Sequence, residues 1–400
     1  MEKVSLIACD DYEQSKVDSA VSKAIELIGG IEQFVKPGQT VVLKANMLMK
    51  CNIEKAATTH PSVVEAVGKL VKNAGAGRVI IADSAGGPFT EGYMNGIYKT
   101  CGLKDVAERC GFEMNSNFDT YSVDLPEGKV GKHFLICDCL EQADVIINLC
   151  KLKTHSFTGY TNAVKNMFGA IPGLTKVEMH GQFKTLDVFG DFMYDVLTYF
   201  KDKLVLHVTD AVVAMEGAGP SNGDPRKVGA IVAGANPVAV DVVALKLINA
   251  EPITMPFIET GVSRGFIDEN LSIDVLGDKI EDLVVADFKK IQPDNFKPFA
   301  NYVPRFLQNT VHRLMTQRPT VRKSKCKGCK KCFEHCPVKA ITMKPTKKNG
   351  TPKAHFDYNK CIRCYCCQEL CPFGLVKVKS GIVYKIVHIG SRKKVKNKTK

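Results

Sequence analysis

Cys326-Lys327-Gly328-Cys329-Lys330-Lys331-Cys332-Phe333-Glu334-His335-Cys336-Pro337 and Cys361-Ile362-Arg363-Cys364-Tyr365-Cys366-Cys367-Gln368-Glu369-Leu370-Cys371-Pro372 repeat one spacing, Cys-x2-Cys-x2-Cys-x3-Cys-Pro. Three thiolates this close grip three corners of one iron–sulfur cubane, and the fourth, three residues on, projects towards a second. The proline that follows favours a turn that ends the loop. The spacing therefore assigns Cys326, Cys329, Cys332 and Cys371 to one 4Fe–4S cluster, and Cys361, Cys364, Cys367 and Cys336 to another. Paired zinc sites and disulfides are the alternatives. Zinc does not require a third and fourth cysteine plus proline in tandem, and a cytoplasmic setting disfavours disulfides. Cys366 departs from the simplest form of the pattern. It reads as a small side chain packed near a cluster, with a substitute ligand or redox-active thiol as the alternative.

Between the two runs, Ala340–Met343 and Ala354–Phe356 read as short strands joined by a turn at Lys348-Asn349-Gly350. The result is a small α+β, ferredoxin-like domain over residues 320–380. Its composition stands apart. Residues 320–400 hold 22 Lys and Arg against three acids, a net of +19, and nine of the sixteen cysteines. The preceding residues hold 33 basic and 39 acidic side chains, a net of −6. So sharp a change marks a domain boundary. The Pro-containing stretch 291–319, with a short amphipathic helix expected at Phe306–Met315, reads as a linker. Residues 381–400 read as a basic tail, solvated in the plainest reading and RNA- or membrane-binding in the others.

The first 290 residues alternate short apolar runs with helix-period stretches, as an α/β domain with a mixed or parallel sheet does. Strands are expected at Val4–Ala8, Thr40–Lys44, Arg78–Ala82, Val145–Leu149, Leu204–Val208 and Val228–Ala233. Helices are expected at Ser15–Ile28, from Thr59-His60-Pro61 to Asn73, and at Asn162–Ala170, Leu186–Phe200 and Val238–Asn249. A chain of 400 residues with 45% apolar and 24% charged side chains is neither disordered nor collagenous. No apolar run reaches the length of a membrane span. The acids Glu2, Asp10 and Asp11 flank the first apolar run and argue against a secretory leader. The expected compartment is the cytoplasm.

Polar residues cluster in Lys151-Leu152-Lys153-Thr154-His155 and in Thr161-Asn162-Ala163-Val164-Lys165-Asn166. The first follows a strand, at the sheet edge where open α/β folds bind ligands. A helix starting near Thr161 would add free backbone N–H groups, which with Lys153 and Lys165 suit a phosphate or carboxylate. The competing reading has solvated lysines and His155 capping a loop. Lys44-Ala45-Asn46 is placed to join the same pocket. Asp210, expected at a strand end, with Glu216 and Asp241 forms an acidic set for a divalent cation or substrate amine, unless these residues are caps and turns. His60, His155 and His180 are a further metal candidate. Ile81-Ala82-Asp83-Ser84-Ala85-Gly86-Gly87, a strand followed by a loop, lacks both GxGxxG and the P-loop pattern, so the sequence assigns no nucleotide cofactor. Cys9, Cys51, Cys101, Cys110, Cys137, Cys139 and Cys150 show no ligand spacing and read as buried reduced thiols.

Val42-Leu43-Lys44-Ala45-Asn46, Thr59-His60-Pro61, Lys151–His155, Asn162-Ala163-Val164-Lys165-Asn166-Met167-Phe168-Gly169, Glu216-Gly217-x-Gly219-Pro220 and Ala239-Val240-Asp241 resemble the domain-of-unknown-function 362 family, here joined to a two-cluster ferredoxin domain. Family members often read Lys-Pro-Asn where this chain has Lys44-Ala45-Asn46. The resemblance implies iron–sulfur binding and no defined reaction for the large domain.

The expected function is ferredoxin-like electron transfer. Lys325, Lys327, Lys330, Lys331 and Lys360 would steer an acidic redox partner protein. In the oxidoreductase version, Lys153 and Lys165 hold an anionic small-molecule substrate and His155 donates or accepts the proton. The rivals are a non-redox binding or transferase domain with structural clusters, and an RNA-associated iron–sulfur protein.

Overall fold

The computed structural model describes residues 1–291, 317–345 and 350–379. The linker helix at 306–315, the turn residues Lys348 and Asn349 and the basic tail lie outside the described residues. The chain divides into two compact units: Met1–Met179 with Thr185–Ile291, and His180–Lys184 with the chain from Gln292 onward.

The N-terminal unit is built on nine strands: β1 (Glu2–Ala8), β2 (Thr40–Lys44), β3 (Arg78–Ala82), β4 (Glu113–Met114), β7 (Val145–His155), β8 (Gly159–Thr161), β9 (Leu204–Glu216), β10 (Asp224–Gly234) and β11 (Ile273–Gly277). Strands β5 (Thr120–Asp124) and β6 (His133–Cys137) form a separate hairpin. The large sheet runs β11-β1-β10-β9-β7-β2-β3-β4, and β8 folds back on β7. It is mixed: β10 is antiparallel to β1 and β9, while β7 is parallel to β2 and β9.

Alternation of side chains sorts the faces. Val41 and Leu43, Ile147 and Leu149, Leu206 and Val208, and Ile231 and Ala233 pack with helices Gln14–Leu27 and Pro61–Asn73 through Val17, Val21, Val63 and Val67. The opposite face meets helices Ala163–Asn166 and Pro237–Leu247. Each fully buried Val or Leu contributes about 1.5–3 kcal/mol of transfer free energy. Two helix starts are set by their caps. His60 Nδ1 accepts from Ser62 N–H at 3.2 Å, and Asn236 Oδ1 accepts from Val238 N–H at 2.9 Å; in each, proline follows the cap.

Strands β7 and β9 are longer than their apolar cores predict. β7 continues through Lys151 and Lys153 to His155, every residue buried, so this polar segment is sheet interior rather than the edge beyond a strand. β9 continues to Glu216, which puts Asp210 in mid-strand instead of at its end. Pairing with neighbours on both sides supplies the backbone hydrogen bonds that a periodicity reading cannot see. Only Ala163–Asn166 of the expected Asn162–Ala170 helix is α-helical, and Met167–Ala170 tightens to a 3-10 turn.

In the C-terminal unit, β12 (Arg318–Val321) pairs antiparallel with β15 (Val376–Lys379), and β13 (Ile341–Lys344) with β14 (Lys353–Phe356). A single turn of helix follows the first two cysteines of each run and carries the third: Lys331–Glu334 with Cys332, and Cys366–Glu369 with Cys367.

Candidate functional site

The two cysteine loops share one backbone. Gly328 and Arg363, each just before the second cysteine, have φ of 69° and 59°. Lys330 and Tyr365, just after it, have φ of 65° and 61°. Lys339 and Gly374, three residues beyond the fourth cysteine, have φ of 50° and 58°. Left-handed residues at these points curl the chain so that three thiols face inward. Ala340 N–H donates to Cys336 Sγ at 3.2 Å, and Leu375 N–H donates to Cys371 Sγ at 3.4 Å, four residues on in each case.

Cys371, the fourth cysteine of the second run, joins the first run. A small cavity is lined by Cys326, Cys329, Cys332 and Cys371, with Met343, Leu375 and Val376 closing its apolar side. Burial pushes the Cys332 thiol up to about 11, assisted by negative charge at Cys329, Cys371 and Cys326. Cys367 is pushed up by burial and then by Cys364, Cys361, Cys332 and Cys336. Thiols that oppose one another's ionisation in this way are relieved by a cationic core among them, so the donor set fits an iron–sulfur cluster. Cys366 is buried and hydrogen-bonds to Cys364, which lowers the Cys364 pKa. Lys325, Lys327, Lys330, Lys331 and Lys360 are all exposed, as are Phe333 and Phe373.

The second constellation lies inside the N-terminal unit. Lys153, 1% exposed, donates to Asn46 Oδ1 and to Ala57 O, both at 2.6 Å. Asn46 Nδ2 donates to Asn166 Oδ1 at 2.7 Å, Asn166 Nδ2 to Asn148 Oδ1 at 2.7 Å, and Asn148 meets His207 Nδ1 at 2.9 Å. His207 is held neutral, its pKa lowered to about 3 by burial. Lys151 forms a neighbouring centre. It reaches Asp210 at 2.7 Å and Tyr12 OH at 2.8 Å; Tyr12 OH donates to Asp210, and its ring stacks on His60 at 3.6 Å. Burial lowers the Lys151 pKa while Asp210 opposes that shift. Burial takes His60 down to about 4. Lys44 pairs with Asp83 at 2.8 Å, both buried.

The lysines of this region are therefore buried rather than solvated. Lys165 lies 4.2 Å from the centre of the Phe168 ring and 5.5 Å from that of Phe189. His155 Nδ1 accepts from the N–H groups of Phe157 and Thr158, capping the turn between β7 and β8 and leaving the neutral ring's proton on Nε2. The expected free N–H groups at the Ala163 helix start are not free. Asp241 accepts from Ala163 N–H at 2.6 Å, from Val164 N–H at 3.3 Å and from Tyr160 OH at 2.8 Å, so the chain supplies its own anion there. Burial raises Asp241 to about 7.

The acidic set does not gather. Asp210 is tied to Lys151, Glu216 to Lys289 at 2.8 Å, and Asp241 to Tyr160. Among the described residues no three His, Cys, Asp or Glu side chains are placed to hold a single metal ion. That holds for His60, His155 and His180 as well. Tyr12, Asn148 and His207 were not anticipated. A signal existed for the last two: each is a polar residue inside an apolar strand run, and the register pairs them directly.

Residues 41–246 match the model of a domain of unknown function, DUF362, and residues 325–375 match a 4Fe-4S dicluster domain. A thylakoid-associated protein of Synechocystis sp. is 30% identical over 315 residues, covering 78% of this chain and 94% of that protein. The trichloroethene reductive dehalogenase of Dehalococcoides mccartyi is 39% identical over 56 residues, 12% of this chain and 10% of that enzyme. Among solved structures, the lactate racemase apoprotein from Thermoanaerobacterium thermosaccharolyticum aligns with a TM-score of 0.37 at 15% identity. That alignment covers 61% of this chain and 57% of the racemase.

Proposed function

Because the chain belongs to the DUF362 family and carries a 4Fe-4S dicluster domain, we propose that it is an electron-transfer protein in which two 4Fe–4S clusters form a short relay. The observation that carries the reading is the first donor set, in which Cys371 of the second run lines one cavity with Cys326, Cys329 and Cys332. Each cluster, when bound, supplies one-electron chemistry. The chain's own contribution is to exclude water with Met343, Leu375 and Val376 and to direct backbone N–H groups at Cys336 and Cys371. Lys327 and Lys330 line the first donor set together with Phe373, and this cationic, partly apolar rim suits an acidic redox protein. The compartment that suits cluster-ligating thiols is a reducing one, which favours the cytoplasm as the reading.

The finer reading delivers these electrons to an anionic substrate in the N-terminal unit, an iron–sulfur oxidoreductase reaction. Lys153 and Lys165 supply cationic charge, and His155 donates or accepts the proton. Support comes from the placement of a lysine and a histidine on β7 and a second lysine on the helix that follows β8. Lys153 and His155 are 1% and 3% exposed, so a substrate reaches them only if the interior opens.

An anaerobic redox titration followed by electron paramagnetic resonance, with iron and sulfide counted on the same sample, tests the relay. About eight irons per chain and a reversible reduced signal are expected. Eight irons that refuse reduction would make the clusters a structural module, and zinc in their place would end the reading. Reoxidation that accelerates with a candidate anion in the wild type, and not in Lys153→Gln or Lys165→Gln, tests the finer step.

A further inference from the structure

Cys51 and Cys101 are 50 residues apart in sequence and adjacent in the fold. Cys51 follows β2 in an irregular segment, half-buried, and packs on Ala56, Ala57 and Met215. Cys101 closes the helix Glu91–Thr100 and is 0% exposed. Its Sγ lies 3.7 Å from Cys51 O and 4.0 Å from Met49 O, and the two thiols stand near enough for each to shift the other's ionisation. The ammonium groups of Lys153 and Lys55 stand near enough to favour negative charge on Cys51.

Among the seven cysteines of this unit, Cys51 alone has a lowered pKa, about 7, set first by the neighbouring Cys101 thiol. Cys9, Cys101, Cys110, Cys137, Cys139 and Cys150 are all pushed up. A half-buried thiol with thiolate character beside a fully buried thiol is the arrangement of an attacking and a resolving cysteine.

We propose that Cys51 and Cys101 form a reversible dithiol–disulfide couple that exchanges with a small glutathione-type disulfide. The Cys51 thiolate attacks one sulfur of that disulfide, its S–S bond breaks, and one thiolate leaves. Cys101 then gives its proton to the departing thiolate and attacks the Cys51 sulfur; the second thiolate leaves as the Cys51–Cys101 bond forms and takes from water the proton that Cys51 released on ionising. Two electrons pass from the protein dithiol to the small disulfide, and two small thiols result. Oxidation removes negative charge from beside Lys153, which links the couple to the polar network of this unit. The couple stands on its own geometry and does not require the cluster relay.

The test uses the full, cluster-loaded chain equilibrated anaerobically in glutathione buffers of graded oxidation, then alkylated and mapped by peptide mass spectrometry. Iron is counted in parallel to exclude scrambling with cluster cysteines. The expected result is a Cys51–Cys101 linked peptide that appears with oxidation and disappears with dithiothreitol. In Cys101→Ser a glutathione adduct should accumulate on Cys51, and in Cys51→Ser no adduct should form on Cys101. Cys51 alkylation should also rise with a midpoint near pH 7. Separate alkylation of both cysteines in the wild type at every glutathione ratio overturns the proposal, whether or not the Cys101→Ser variant folds.

Discussion

Lys153 finds its partners 107 and 96 residues away in sequence, at Asn46 and Ala57, whereas the N–H groups that address Cys336 and Cys371 lie four residues on. The N-terminal unit assembles its polar interior from strands brought side by side. The C-terminal unit curls each cysteine loop locally, and its long-range contacts are the pairing of β12 with β15 and the approach of Cys371 to the first run. A locally written site tolerates little change of spacing and much change of surroundings. An interior network behaves in the opposite way, because each member depends on partners placed by the whole sheet and is costly to leave unpaired once buried.

That contrast is open to direct attack. The largest effect is expected from removing iron or replacing Cys332 with serine. The C-terminal unit should lose its structure, because thiols that oppose one another's ionisation then have no cation among them, while the N-terminal unit keeps its protection. Hydrogen exchange read unit by unit checks this, and equal loss in both would erase the distinction.

Next comes the buried ion pair of Lys151 and Asp210. Lys151→Met should cost the N-terminal unit about 3–5 kcal/mol in urea unfolding, since it strands a buried carboxylate. Lys151→Met combined with Asp210→Leu should cost less than the single change. Additive losses would mean that the two side chains act separately.

The pH response has opposing parts. His207 and His60 have pKa values lowered to about 3 and about 4, so the stability they support is present above about 6.5 and is lost as pH falls through those values. Asp241, raised to about 7, works in the other direction: the unit gains stability from it as pH falls from 7 towards 4. His207→Gln should therefore flatten the loss of stability between pH 7 and 4, and Asp241→Asn should steepen it. Denaturant titrations at fixed pH values decide, and a change of the opposite sign in either variant would sink the assignment.

The smallest effect belongs to Cys366. Its hydrogen bond to Cys364 should favour the reduced, more negative cluster, so Cys366→Ala should lower one potential by about 50 mV, near 1 kcal/mol for one electron. The other potential should stay in place. Unchanged potentials would reduce Cys366 to packing.

The helix start at His60-Pro61, strands β2 and β3 and the cysteine loops were legible in the sequence because caps, short apolar runs and ligand spacing act over a few residues. The ends of β7 and β9 were not, because Lys151, Lys153, Thr209 and Asp210 look like loop residues until strands on either side pair with them. The polar region at 151–166 was visible as composition, and its chemistry was not. Whether the N–H groups of Ala163 and Val164 face a ligand depends on Asp241, about 80 residues later.

The sequence by itself determined the two cysteine runs, the basic C-terminal portion and an α/β N-terminal unit, since each is a property of neighbouring residues. Tertiary structure alone decided that Lys44, Lys151 and Lys153 are interior, that Asp241 occupies the helix start, and that Cys51 meets Cys101. The physical reason is that charge, burial and hydrogen-bond satisfaction belong to pairs of groups. Which groups become pairs is settled by strand register and packing across the sheet, not by distance along the chain.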